Sequence, residues 1–168
     1  MATSLQIDAV RAAIVDRLLL RLYDYWQERR CSRPMPSRSD IDPVDMRFIL
    51  GNLLLIDVLA GPRRFRIRLH GTNLVRRAGY ELTGKMLEQL PDADFRTVAQ
   101  ECFTTVVEAR RPIHSFRSRT LSGRPQPFEA LILPLSRTML QVDMLLVGLR
   151  YANDPGTSSV ASAATHAW

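Results

Sequence analysis

Two strand-like runs stand before the helical middle of this chain and three stand after it, and their apolar faces must be buried together. Residues 52–60 are apolar with little alternation, whereas residues 63–70 alternate cleanly. There Phe65, Ile67 and Leu69 share one face, and Arg64, Arg66, Arg68 and His70 the other. Gly61-Pro62 between them is short enough to imply an antiparallel hairpin. Thr72 is placed to cap a short helix ending at Gly79, and Thr83-Gly84 marks a turn. Residues 94–111 then carry Phe95, Val98, Ala99, Cys102, Phe103, Val106 and Val107 at helical spacing until Pro112 stops them. Three strands follow at 113–121, 127–135 and 141–151, joined by connections short enough for hairpins. Five strands with helices between them are buried most simply in one sheet. The strands near Leu55, Leu133 and Leu146, apolar on both faces, belong in its centre. Those near Arg66 and Arg117 belong at its edges, where charge discourages aggregation. The expected architecture is α+β, a five-stranded antiparallel sheet in the order 2-1-5-4-3 with the helices on one face.

Ahead of the sheet, residues 8–29 read as one helix. Val10, Ile14, Leu18, Leu22 and Trp26 recur every four residues on an apolar face wider than a small domain needs. We expect that face to pair with a second copy, giving a homodimer whose interface includes those five residues. The chain then divides into a flanking helix (1–30), a linker with two prolines (31–39), the sheet domain (40–151) and a small, polar tail (152–168) expected to be flexible. Within the domain, Asp42-Pro43-Val44-Asp45 has the cap, proline and acidic first turn of a short helix, which Gly51 would end.

Composition removes several alternatives. The chain is 46% hydrophobic, ordinary for a globule, and no apolar run approaches the ~20 residues a membrane span needs. Asp57 and Asp143 interrupt the two longest runs, and pairing with arginines is the expected reason. The N-terminus lacks a secretory leader, so a cytoplasmic location without membrane insertion is expected. Cys31 and Cys102 make neither a disulfide framework nor a metal spacing. The net charge of +6 invites nucleic-acid binding. Lys85 is the only lysine, however, and the arginines are scattered, so arginine-mediated binding of nucleic acid or a phosphate ligand is the alternative reading. His70, His114 and His166 do not converge on a metal, and structural roles are expected for the first two. No nucleophile elbow or phosphate-binding glycine loop occurs, and no enzymatic activity is expected.

Local motifs carry a resemblance. They are Tyr25-Trp26, Met35-Pro36-Ser37-Arg38, Asp40-Ile41-Asp42-Pro43, Leu53-Leu54-Leu55-Ile56-Asp57-Val58, Arg66-Ile67-Arg68-Leu69-His70-Gly71-Thr72 and Gly79-Tyr80-Glu81-Leu82-Thr83-Gly84. In this order the chain resembles, over roughly residues 20–151, a bacterial family of small stand-alone PAS-like proteins found largely among alphaproteobacteria. The resemblance implies a sensory or regulatory module in signal transduction, binding a small ligand in a cup between sheet and helices, dimerising, or both. With no output domain expected in the chain, a signal would pass to a separate protein. The cofactor is unknown. Photoreactive flavin PAS domains carry a cysteine on the helices after the second strand, and none lies in 72–90. Haem PAS domains often use a histidine on the long helix, and 94–111 has none. Phe65, Ile67, Leu69, Phe95, Phe103 and Phe116 are the expected pocket lining. Strand parity groups the first three, while the inward face of the last three strands stays open.

Overall fold

A computed structural model describes residues 9–61 and 64–157. Helix α1 (Arg17–Arg30) precedes strands β1 (Leu53–Val58) and β2 (Phe65–His70). Helices α2 (Thr72–Ala78) and α3 (Ala93–Ala109) follow, then β3 (Ile113–Leu121), β4 (Arg124–Leu135) and β5 (Met144–Tyr151). The strands form one antiparallel sheet in the order β2-β1-β5-β4-β3, as the burial argument required. Every residue of β5 is buried, because α1 covers one side of it and the cup the other. Ser122 and Gly123 turn β3 into β4 with φ of 51° and 73°. That is the mirror-type hairpin turn that matches strand twist.

Helix α1 packs against the outer face of its own sheet. Leu19, Leu22, Tyr23 and Trp26 are wholly buried, and the Trp26 indole donates to the Pro134 carbonyl at 3.0 Å. Gly148 of β5 makes this close approach possible. A Cβ there would lie 2.7 Å from Leu19 Cδ2 and 3.0 Å from Leu22 Cδ2.

The expected single helix over 8–29 is instead two pieces. Residues 9–13 are helical, the chain leaves the helix at 14–16, and α1 restarts at Arg17. Periodicity runs through the break, but backbone hydrogen bonding does not. The Val15 and Asp16 amides donate to the Glu129 carboxylate at 2.7 and 2.8 Å, and Asp16 caps α1 by accepting from Leu18 and Leu19. Other local expectations change for similar reasons. Residues 42–49 form successive turns closed by bonds between residues three apart in place of a helix, and Gly71, not Thr72, precedes α2. Asp92 caps α3. The connection at 31–39 is packed: Met35 is wholly buried, and the Pro36 carbonyl accepts from Ser136 at 3.0 Å. Residues 152–157, expected in the tail, are anchored by Asp154, which accepts from the Tyr151 amide and the Asn52 side chain. Beyond them, 158–168 and the N-terminal 1–8 lie outside the described residues, His166 among them.

Candidate functional site

Alternation along each strand builds two sites back to back. On the inner side, sheet, α2 and α3 enclose a cavity of about 60 Å³. Its walls are mostly apolar, including Leu54, Ile56, Ile67, Phe103, Ala130 and Val147. A few polar groups converge there: His70 at the end of β2, Tyr80 after α2, Ser115, Arg117 and Arg119 on β3, and Tyr151 on β5. Arg119 is the most constrained. Its side chain is only 7% exposed and lies 3.9 Å over the Phe95 ring, and one terminal nitrogen reaches the Tyr80 hydroxyl at 2.9 Å and Asp92 at 3.3 Å. Burial opposes its charge, but the Tyr151 and Tyr80 hydroxyls outweigh burial and raise its pKa, so it stays cationic. Burial also raises the pKa of Tyr151, against the pull of Arg119. His70 is pushed the other way. Burial lowers its pKa despite nearby Glu81, and its Nδ1 accepts from the Leu82 amide at 3.2 Å. That acceptor requires the neutral ring with its proton on Nε2.

On the outer side, Glu129 is completely buried. Besides the Val15 and Asp16 amides, its Oε1 meets His114 Nε2 at 2.7 Å. Asp16 Oδ2 accepts from Arg150 Nε at 3.1 Å, and Arg150 in turn faces Asp154 at 3.6 Å. Asp154 also receives Arg77 and Asn52. A seam of paired charges therefore fixes the start of α1 to the backs of β3, β4 and β5. Asp57 accepts from Arg66 and Arg68 on the same side, and Asp143 accepts from the Arg137 amide, so both interrupting aspartates are paired.

The structure gathers only part of the expected pocket. Ile67, Phe95 and Phe103 line the cavity, and Phe65 packs edge-on against Phe103 with centroids 5.4 Å apart. Leu69 does not belong to it. Ile56 pairs with Ile67 but Leu55 with Leu69, so a bulge at Arg68 turns Leu69 to the other face, where it is 36% exposed. Phe116 also faces outward, pairing with Glu129 and stacking edge-on against His114. Sequence reasoning missed Tyr80, Arg119 and Tyr151. The parity that joins Ser115, Arg117 and Arg119 was visible, but the inward face of β3 was open in the sequence, and the expected lining named Phe116 from the opposite face.

The expected dimer surface is likewise redistributed. Leu22 and Trp26 are wholly buried and Ile14 is 7% exposed, all against their own chain. The sheet's outer face absorbs the surplus that suggested a second protomer, leaving Val10 and Leu18 half-buried. Among the described residues, no group of three metal-ligating side chains converges, and no helix is long and apolar enough to cross a membrane.

A sheet in this order, with a helix-covered cup on one face and a flanking helix on the other, defines a PAS-type module. Residues 16–154 match the PAS domain family, and the chain belongs to that family; its class is a sensory signalling module. The fold is similar to the crystal structure of the LOV protein of Rhodobacter sphaeroides, with a TM-score of 0.50, 18% identity, and 75% of this chain and 77% of that one covered. It is also similar to the PAS domain of Bordetella pertussis BvgS, with a TM-score of 0.51, 18% identity, and 65% and 84% coverage. At such identities the likeness is one of fold. No curated protein matches the chain.

Proposed function

We propose that this protein senses a small molecule in its cup and reports occupancy to a separate protein through the segment that joins residues 9–13 to α1. The observation that carries this reading is the cavity, an apolar space with convergent polar groups, which is the usual form of a ligand site. Strands β4 and β5 link it to the α1 junction. Phe128 and Ala130 line the cavity while Glu129 between them holds the Val15 and Asp16 amides. Leu149 and Tyr151 line it while Arg150 holds Asp16. A homodimer in this scheme uses the surface around Val10 and Leu18, since the deeper residues of that face are already covered.

Native mass spectrometry of freshly purified protein tests both halves, because it reads bound ligand and oligomeric state together. We expect a small adduct that denaturation releases and that is absent from a folded Ala99→Leu variant, whose added carbons fill the cavity. An adduct retained by that variant, or a wild-type protein that takes up no small molecule from a metabolite extract, would refute the cup as the sensing site.

Arginine-mediated binding of nucleic acid has less support, because many arginines already face carboxylates, as Arg29, Arg66, Arg68, Arg77 and Arg150 do. Its foothold is a groove of about 710 Å³ lined by Arg76, Arg77, Arg124 and Arg150. Salt-sensitive retention on heparin or duplex DNA, lost in Arg76→Glu/Arg124→Glu, would favour it.

A further inference from the structure

Arg119 carries a buried hydrogen-bond donor that nothing among the described residues satisfies. Its Nε is buried and has no hydrogen-bond partner among the described residues, and its side chain is only 7% exposed. A guanidinium directs its donors in a fixed fork. Here the Tyr80 hydroxyl and Asp92 take one terminal nitrogen, the Tyr151 hydroxyl also acts on the guanidinium, the Phe95 ring covers its face, and the Nε–H is left without a hydrogen bond among the described residues. Leaving a buried charged donor unpaired is costly, and buried donors of this kind are few in folded proteins.

The surroundings of that donor define what would satisfy it. Arg119 belongs both to the wall of the cavity and to a cleft of about 190 Å³ at the start of α3. The two share Phe95, Val98, Arg117, Arg119 and Phe128, so a ligand held at Arg119 has an apolar chamber on one side and a way in on the other. Arg117, exposed and without an ion-pair partner among the described residues, adds a second cation along the cleft. Asp92 and Asp94 line the same cleft and offset the two arginines, which favours a ligand with one negative charge over a polyanion. Size narrows it further. At about 60 Å³ the chamber is under half of the ~150 Å³ that admits benzene, so it holds about two or three carbon atoms.

We propose that the cup binds a short-chain monocarboxylate, its carboxylate accepting from Arg119 Nε–H and its alkyl tail filling the apolar cavity. This rests on the reading of the cup as the sensing site and gives that site a ligand class. Arg117 attracts the anion to the cleft, and Arg119 holds it. The charge-assisted bond fixes the head group, while the small volume of the apolar chamber sets tail length.

The test is a titration followed by amide NMR shifts and thermal unfolding, using acetate, propionate, butyrate, isobutyrate, octanoate, propionamide and butanol. We expect saturable binding that is tightest for propionate, butyrate or isobutyrate and weaker for acetate and octanoate. Propionamide should bind roughly tenfold or more weakly, lacking the charge. Arg119→Lys should erase the preference of acid over amide. Ala99→Leu should abolish binding while leaving both arginines in place, which keeps the test sound if the Arg119 variant does not fold. Saturable binding of butanol and propionamide but of no acid would overturn the carboxylate and leave the cup reading standing. No saturation by any of the seven compounds up to ~10⁻² M would overturn the proposal; the metabolite uptake described above then decides whether the cup reading falls with it. Acids that bind equally whatever their tail, with Ala99→Leu unaffected, would show adsorption to surface arginines and also overturn it.

Discussion

Replacing Glu129 by Gln changes the least while probing the most consequential junction in the molecule. The carboxylate accepts from two backbone amides, Val15 at 2.7 Å and Asp16 at 2.8 Å, with His114 Nε2 2.7 Å from the first oxygen. A glutamine keeps one oxygen and puts an NH₂ where the other was. One amide keeps its acceptor, though an uncharged one, and the other faces a donor. A hydrogen bond to a charged group contributes about 1.5–3 kcal/mol, and an unsatisfied buried donor costs about 1–3 kcal/mol. Since the two terms overlap, the expected loss is about 3 kcal/mol. In a domain of this size that lowers Tm by roughly 6–12 °C. Urea unfolding supplies the total, and amide hydrogen exchange locates it. Protection should fall at Val15, Asp16 and the first turn of α1 before it falls in α3. Unfolding within about 0.5 kcal/mol of wild type, with Val15 and Asp16 exchanging at their original rates, would refute the claim that Glu129 anchors the junction.

Three further outcomes are expected. Leu22→Ala should cost about 2–5 kcal/mol of monomer stability, because the side chain is wholly buried against the sheet; a variant that dissociates an assembly without lowering protomer stability would return Leu22 to an interface. Ile67→Ser should be strongly destabilising while Leu69→Ser changes stability by less than about 1 kcal/mol, since the bulge puts only Ile67 inside; equal effects in urea titrations would remove the bulge. His70 has a folded pKa below that of the unfolded ring, so its contribution is fully present above about pH 6.5 and is lost as pH falls toward the folded value. His70→Asn, which keeps an acceptor for the Leu82 amide, should flatten stability against pH in that acidic window, and an unchanged pH slope would contradict the buried neutral imidazole.

The topology was legible because it depends on composition by segment. Strands apolar on both faces have to be central, and arginine-bearing strands can sit at edges. Facing was harder, because it depends on single residues. In β2, parity holds from Phe65 to Ile67 and fails at Leu69, since register is a property of two strands and the irregularity appears only in the pairing with β1. In β3, the rule that aromatic side chains point inward selects Phe116, whereas the inner face carries Ser115, Arg117 and Arg119. Those arginines are tolerable there because Asp92, Tyr80 and the Phe95 ring compensate Arg119, and none of these is local in sequence. The break in the N-terminal helix is the clearest case. Its cause is a carboxylate 114 residues from Val15, which no helical periodicity reports. Asp16 is a capping residue type within an apolar run, a local signal that helical spacing alone does not use.

A strand with a period of two cannot carry a change on one face without moving the other. In most sheets this has no consequence, because the outer face is solvated. Here the residues between the cavity-lining positions of β4 and β5 are Glu129 and Arg150, both buried, and both bonded to the start of α1. Neither can shift freely. Glu129 holds two backbone amides at fixed positions, and Arg150 is bound to Asp16 and the Pro155 carbonyl. A displacement of either strand must therefore stretch these bonds or carry the junction along with it, and low-dielectric pairing makes stretching the costlier course. The break in the helix thus has a physical rationale beyond local capping. An uninterrupted helix over 8–29 would satisfy the Val15 and Asp16 amides internally and leave the start of α1 without these two hydrogen bonds to β4, although the Trp26 indole would still hold the Pro134 carbonyl further along. Transferring those two amides to Glu129 exchanges helical continuity for a directional connection between the cup and the N-terminal segment.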